Sequence, residues 1–133
     1  LSNRLQKSLA EYFDRLQFMV RMPAEEYLSL VKTADVMLDT FHYTGGANTN
    51  YDAFAAGTPV VTLPTKFHRG RYTFAAYKQM DYLKCVAKDE ADYVRIALAL
   101  ATDELFLKSA SHAVITGCEQ LLEDQLAVDA FVE

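Results

Sequence analysis

At 133 residues, with 51% hydrophobic and 23% charged residues, the chain is long enough for one domain with a real core, short for two, and not disordered in composition. A formal net charge of −5 without a Lys/Arg run argues against a nucleic-acid surface, and no apolar stretch approaches the roughly 20 residues that span a bilayer. Cys85 and Cys118 lie far apart without a CxxC, which predicts buried thiols in a reducing compartment rather than a disulfide. Nothing at Leu1 resembles a signal peptide, so the expected location is cytoplasmic.

In chain order, residues 3–13 have helical spacing, with Leu5, Leu9, Tyr12 and Phe13 on one side. RLQFMV (15–20) predicts a short strand. Pro23 opens a helix in which Glu25 and Glu26 complement the helix dipole. DVMLDT (35–40) predicts a second strand, and a helix follows from about Thr49 to Ala56, with Gly57 as its C-cap and Pro59 preventing continuation. PVVTLP (59–64) predicts a buried strand, GRYTFAAYKQM (70–80) a helix and LKCVAK (83–88) a fourth strand. Helices are expected over 89–102, 103–122 with a break at Gly117, and 123–132. Strands alternating with helices predict an α/β fold, a Rossmann-like parallel sheet with helices on both faces, forming a single domain over 1–133.

Ligands of such sheets bind beyond the C-terminal strand ends. The loop FHYTGGANTN (41–50) leaves the end of strand 35–40 and enters the next helix. Gly45 and Gly46 permit close backbone approach, Asn48 or Thr49 can cap the helix, and the first-turn N–H groups form an anion site. Asp52, one turn in, matches an acid that accepts hydrogen bonds from ribose hydroxyls. The same residues also suit a tight turn and a helix cap with no ligand, in which Asp52 only answers the helix dipole.

ADVMLDTFHYTGGANTNYDAFAAGTPVVTLPTKFHRGRYTFAAYKQM (34–80) resembles the nucleotide-sugar-binding half of GT-B glycosyltransferases, most closely the O-linked N-acetylglucosamine transferase/SPINDLY family. The resemblance covers residues 15 to about 107 well. It implies a partial GT-B C-terminal domain with a helical C-terminus. Ala47, Asn48 and Thr49 fall where the family holds the nucleotide diphosphate, Arg71 is a further diphosphate candidate, and Asp52 falls where an acid binds the ribose. Met22 and Pro23 match a turn facing the base. Tyr27 stands where relatives have a His beside the uracil, Leu30 where they have an Arg, and Ala47 replaces a His, so UDP and GDP sugars both stay open. Thr44 occupies the position of a Glu found in retaining relatives, which favours inversion.

The activity so implied is inverting, metal-independent transfer of N-acetylglucosamine from UDP-GlcNAc to protein Ser/Thr, with no cofactor. The alternatives are a noncatalytic nucleotide- or phosphate-binding module and a GT-B nucleotide-sugar epimerase. The resemblance places an acceptor-binding half, the catalytic base and possible TPR repeats upstream, and the first two strands of the sheet outside this chain. An open parallel edge is an association hazard, so a homo-oligomer is expected, with no transfer by this chain alone.

Other residues point elsewhere. His42, His68 and His112 lack ligand spacing, so no metal site is expected. His42 and Asp39 suit a structural hydrogen bond. Arg71, with His68 and Arg69 in a basic turn, suits either phosphate or Asp39. Tyr72, Phe74 and Tyr77 are expected to pack, as are Tyr93, Leu98 and Phe106 on core-facing helix stripes.

Overall fold

The computed structural model describes residues 2–43, 45–122 and 124–132. The order is α1 (Ser2–Ser8), a 3-10 turn (Ala10–Arg15), α2 (Ala24–Lys32), β1 (Met37–Leu38), α3 (Ala47–Ala56) and β2 (Val60–Val61). A second 3-10 turn (His68–Gly70), α4 (Tyr72–Gln79), α5 (Glu90–Thr102), α6 (Glu104–Leu122) and α7 (Gln125–Val132) complete it. The α/β alternation is present, but helix dominates. β1 and β2 pair in parallel, Met37 against Val60 and Leu38 against Val61. The expected strand 83–88 is a single parallel bridge, Val86 beside Thr62, with Thr62 N–H donating to the Cys85 carbonyl at 3.1 Å and Ala87 N–H to the Thr62 carbonyl at 2.8 Å.

Residues 16–23 form no strand. A strand needs a partner edge, and the partner of β1 among the described residues is β2. Phe18, Met19 and Val20 are therefore exposed, Val20 by 80%. The other edge of β1 is open, and Leu38 is 57% exposed on it. The predicted N-terminal helix is also divided, between α1 and the 3-10 turn, with Leu9 and Tyr12 exposed.

The core forms where β-branched residues of the sheet meet the apolar faces of the later helices. α3 and α5 pack on β2, and α6 packs on α3, α4 and α5. Val60, Val61, Phe54, Tyr77, Ile96, Leu100, Ala110 and Val114 are buried together. The Tyr77 hydroxyl spans the Val60 backbone, accepting from its N–H and donating to its carbonyl at 2.9 Å each, while its ring lies 5.0 Å from that of Phe54. Full burial of such a residue is tolerable because both hydrogen-bonding roles of the phenol are filled. Cys85 and Cys118 are buried free thiols, as expected. Burial pushes the Cys85 thiol up to about 11, partly opposed by the hydroxyls of Tyr77 and Tyr82.

Two helix features differ from the sequence expectation. Leu98 faces solvent, 59% exposed, because the buried positions of α5 are Ile96 and Leu100, and Leu98 lies on the far side of a 3.6-residue turn. α6 runs through Gly117 without a break, with Met80 packed so closely that a Cβ there would lie 2.6 Å from its Cγ. Gly57 caps α3 in the left-handed conformation (φ 81°), donating to the carbonyls of Ala53 and Phe54. Here the expectation holds.

Candidate functional site

α2 leads into β1 and α3 leads away from it, so both helices present their N-terminal ends at the C-terminal edge of β1. The two ends differ in charge. α2 carries Glu25 and Glu26 in its first turn, whereas the first turn of α3 carries no acid. The positive end of the α3 dipole is thus left for an outside anion.

The cap of α3 is Gly46, at φ 89°, and not Asn48 or Thr49; no side chain caps the helix. The reason is local. A glycine takes the left-handed conformation without Cβ strain, and the helix accordingly begins at Ala47, earlier than expected. Asn48 is exposed, while the Thr49 hydroxyl donates back to the Gly45 carbonyl at 2.9 Å. Asn50 is 2% exposed, and its side-chain amide nitrogen is buried without a hydrogen-bond acceptor among the described residues.

Asp39 organises the loop. One carboxylate oxygen accepts from the hydroxyls of Thr62 (2.9 Å) and Thr73 (2.6 Å), and the other from the Gly45 N–H at 3.3 Å. The Tyr93 hydroxyl donates to the Asp39 carbonyl at 2.8 Å, and the Tyr93 ring packs edge-on against Phe41. Burial, then the Asp39 charge, raises the Tyr93 phenol to about 12. Sequence reasoning missed both roles. A carboxylate at a strand end, with threonines on the neighbouring strand and on the helix after it, was the available signal for Asp39. His42 is exposed, stacked edge-on against Phe41 at 5.0 Å, and is not among the Asp39 partners. The expected Asp39–His42 hydrogen bond is absent among the described residues because the threonines and Gly45 occupy the carboxylate.

Tyr27 and Asp52 are brought together by the packing of α2 on α3. Both are half-buried, and the Tyr27 phenol is raised first by burial and then by the Asp52 charge. Tyr27 also touches the core, while Leu30 is exposed. Pro23 is the N-cap of α2, its carbonyl accepting from Tyr27 N–H at 3.0 Å, and Met22 beside it is half-buried. Arg71 belongs to the other turn on this edge. It donates to the Thr65 carbonyl at 2.8 Å and lies 4.7 Å above the Phe74 ring, and it is not among the described partners of Asp39. Gly70 ties that turn to the first, since a Cβ there would lie 3.2 Å from the Phe41 carbonyl. Thr44 lies outside the described residues.

A groove of about 220 Å³ between α2 and α3 is lined by Leu28, Ser29, Lys32, Ala55 and Ala56. These residues come from the second half of each helix, away from Ala47–Thr49, and bear no convergent polar groups. The open end of α3 is the better candidate for chemistry. Among the described residues no group of three or more His, Cys, Asp or Glu side chains is placed to hold a metal ion, and no helix is long and apolar enough to cross a membrane.

Sequence and fold together are those of a region of a GT-B glycosyltransferase. The model of glycosyl transferase family 41 matches residues 3–121, and the chain belongs to that family. It is 31% identical over 78 residues to the probable UDP-N-acetylglucosamine–peptide N-acetylglucosaminyltransferase SPINDLY of Petunia hybrida, covering 59% of this chain and 8% of that protein. It is 34% identical over 89 residues to the UDP-N-acetylglucosamine–peptide N-acetylglucosaminyltransferase of Caenorhabditis elegans, covering 67% of this chain and 8% of the relative. A solved mutant of the Thermobaculum terrenum O-GlcNAc transferase superposes with a TM-score of 0.80 at 29% identity, over 90% of this chain and 23% of that one. The chain thus spans a small part of each relative.

Proposed function

We propose that this chain is the sugar-donor-binding part of an inverting, metal-independent glycosyltransferase that moves N-acetylglucosamine from UDP-GlcNAc to protein Ser/Thr. The observation that carries this reading is the uncapped, acid-free first turn of α3 with Asp52 one turn in and Tyr27 beside it. In it the N–H groups of Ala47, Asn48 and Thr49 receive the diphosphate across the turn shaped by Gly45 and Gly46. Asp52 accepts the ribose hydroxyls, while Tyr27 and the Met22–Pro23 backbone meet the base. Arg71, restrained by Thr65 and Phe74, adds positive potential on the same edge. Oriented dipoles and a guanidinium stabilise the leaving diphosphate without a cation.

The acceptor site, the catalytic base and any TPR array belong to a longer cytoplasmic protein in this reading. The chain alone binds nucleotide weakly and transfers no sugar. It self-associates through the open β1 edge, so sedimentation is expected to give a dimer or larger species. Calorimetry tests the donor site: UDP binds and is displaced by UDP-GlcNAc. Binding of inorganic phosphate without UDP would instead identify a noncatalytic module. In the full-length protein, NMR of the product anomer reads inversion directly.

A further inference from the structure

Hydrogen-bond donors from three parts of the chain end on one buried side chain. Asp39 is 6% exposed, and Thr62 and Thr73, which donate to one of its oxygens, are fully buried. Among the described residues no Lys, Arg or His forms an ion pair with it. A carboxylate buried on neutral donors is harder to desolvate than an uncharged side chain of similar shape. What it supplies in return is acceptor capacity. With two oxygens and no donor, it receives two hydroxyls and an amide N–H at once.

Two of these donors lead to positions that face an anion. Gly45 precedes Gly46, the positive-φ N-cap of α3, and the Gly45 carbonyl in turn accepts from the Thr49 hydroxyl at 2.9 Å. Asp39 is thereby tied to the first turn of α3 through one residue. Thr73 lies in the first turn of α4, whose N-cap is Arg71, and the Arg71 carbonyl accepts from Ala75 N–H at 2.8 Å. The backbone of Asp39 is itself anchored on both sides. Its N–H donates to the Val61 carbonyl at 3.0 Å, and its carbonyl accepts from the Tyr93 hydroxyl at 2.8 Å. One fixed carboxylate therefore holds the start of two helices.

We infer that Asp39 is a positioning residue that sets the α3 entrance relative to Arg71, and through them the affinity for the diphosphate portion of a nucleotide. It touches no ligand itself. The inference deepens the donor site proposed above and rests on that reading for the identity of the ligand. Tyr27 and Asp52, which would meet the nucleoside, are brought together by the packing of α2 on α3 and not by this carboxylate.

NMR titration of the isotope-labelled full chain tests it, with UDP, uridine and inorganic pyrophosphate as probes. Thr73→Val removes one donor at nearly equal shape. It is expected to weaken UDP and pyrophosphate about fivefold, a fraction of what a hydrogen bond to a charged group contributes, and to leave uridine unchanged. Thr73→Ser keeps the hydroxyl and is expected to restore affinity. Asp39→Asn retains one acceptor oxygen, so either Gly45 or the threonines lose theirs, and UDP is expected to weaken at least as much. If one variant fails to fold, the other carries the comparison. A merely structural role would lower unfolding stability and leave the ratio of UDP to uridine affinity at its wild-type value; that outcome overturns the inference. Unchanged UDP affinity in Thr73→Val and Asp39→Asn overturns it as well. If the wild type binds pyrophosphate but not UDP, and Thr73→Val weakens pyrophosphate, the positioning role stands and the donor reading falls. Binding of neither probe by the wild type overturns both.

Discussion

Two turns leave the same edge of the sheet, one after β1 and one after β2, and they are built from opposite materials. The first, residues 40–46, ends in small residues and delivers the open end of a helix. The second, residues 63–71, is cationic and aromatic, with Arg71 on Phe74 and Arg69 on Phe67. Backbone dipoles on rigid structure attract an anion only at close range and in one direction. Side-chain charges reach farther and tolerate more geometries. Asp39 joins the two turns by holding Gly45 of the first turn, Thr62 just after β2 and Thr73 of α4.

The most damaging way to break the pair is Asp39→Ala. It leaves two buried hydroxyls and an amide without their charged acceptor, and is expected to cost about 3–5 kcal/mol in denaturant unfolding. Hydrogen exchange should show both turns losing protection together; loss at the first turn alone would mean they are independent. Asp52→Asn acts on ligand only, weakening UDP by about 1–3 kcal/mol in calorimetry with the fold intact. Unchanged affinity would remove Asp52 from the ribose.

Asn48→Ala is expected to cost about 1 kcal/mol of UDP affinity and almost none for uridine. Equal losses would reassign Asn48 to helix stability. The smallest effect is alkaline. The Tyr93 phenol lies near 12 in the folded protein, above its ordinary value of 10.0, so its contribution to stability is complete below pH 10 and is lost as pH rises toward 12. After solvent screening the loss is about 1 kcal/mol or less, and Tyr93→Phe should flatten that part of the pH profile.

The helices around the site were legible because their punctuation is local: Pro23 before α2, Gly57 after α3, and Asp89, whose side chain caps α5 by accepting from Asp92 N–H. The strand expected at 15–20 was not, because an apolar hexamer becomes a strand only where an edge receives it. The family resemblance was legible over residues 15 to about 107, and the family model extends it to residues 3–121. In the site, the glycines and the small polar loop marked the helix entrance, yet the cap went to Gly46 once Thr49 had turned its hydroxyl back to Gly45. The contact between Asp39 and Tyr93 was not legible because the two residues lie 54 apart in sequence, and no local pattern encodes it.

Gly57 bears on how finely α3 can be aimed. A Cβ at that position would stand 2.8 Å from Ile115 Cδ1, so the tail of α3 rests directly on α6. A rod seated at its foot and open at its tip behaves as a gauge: a displacement at the seat appears at the tip. The focus of the α3 dipole is therefore set by a contact on the opposite end of the helix. Under the donor reading proposed above, substitutions at Ile115 become a means of adjusting where the diphosphate would come to rest.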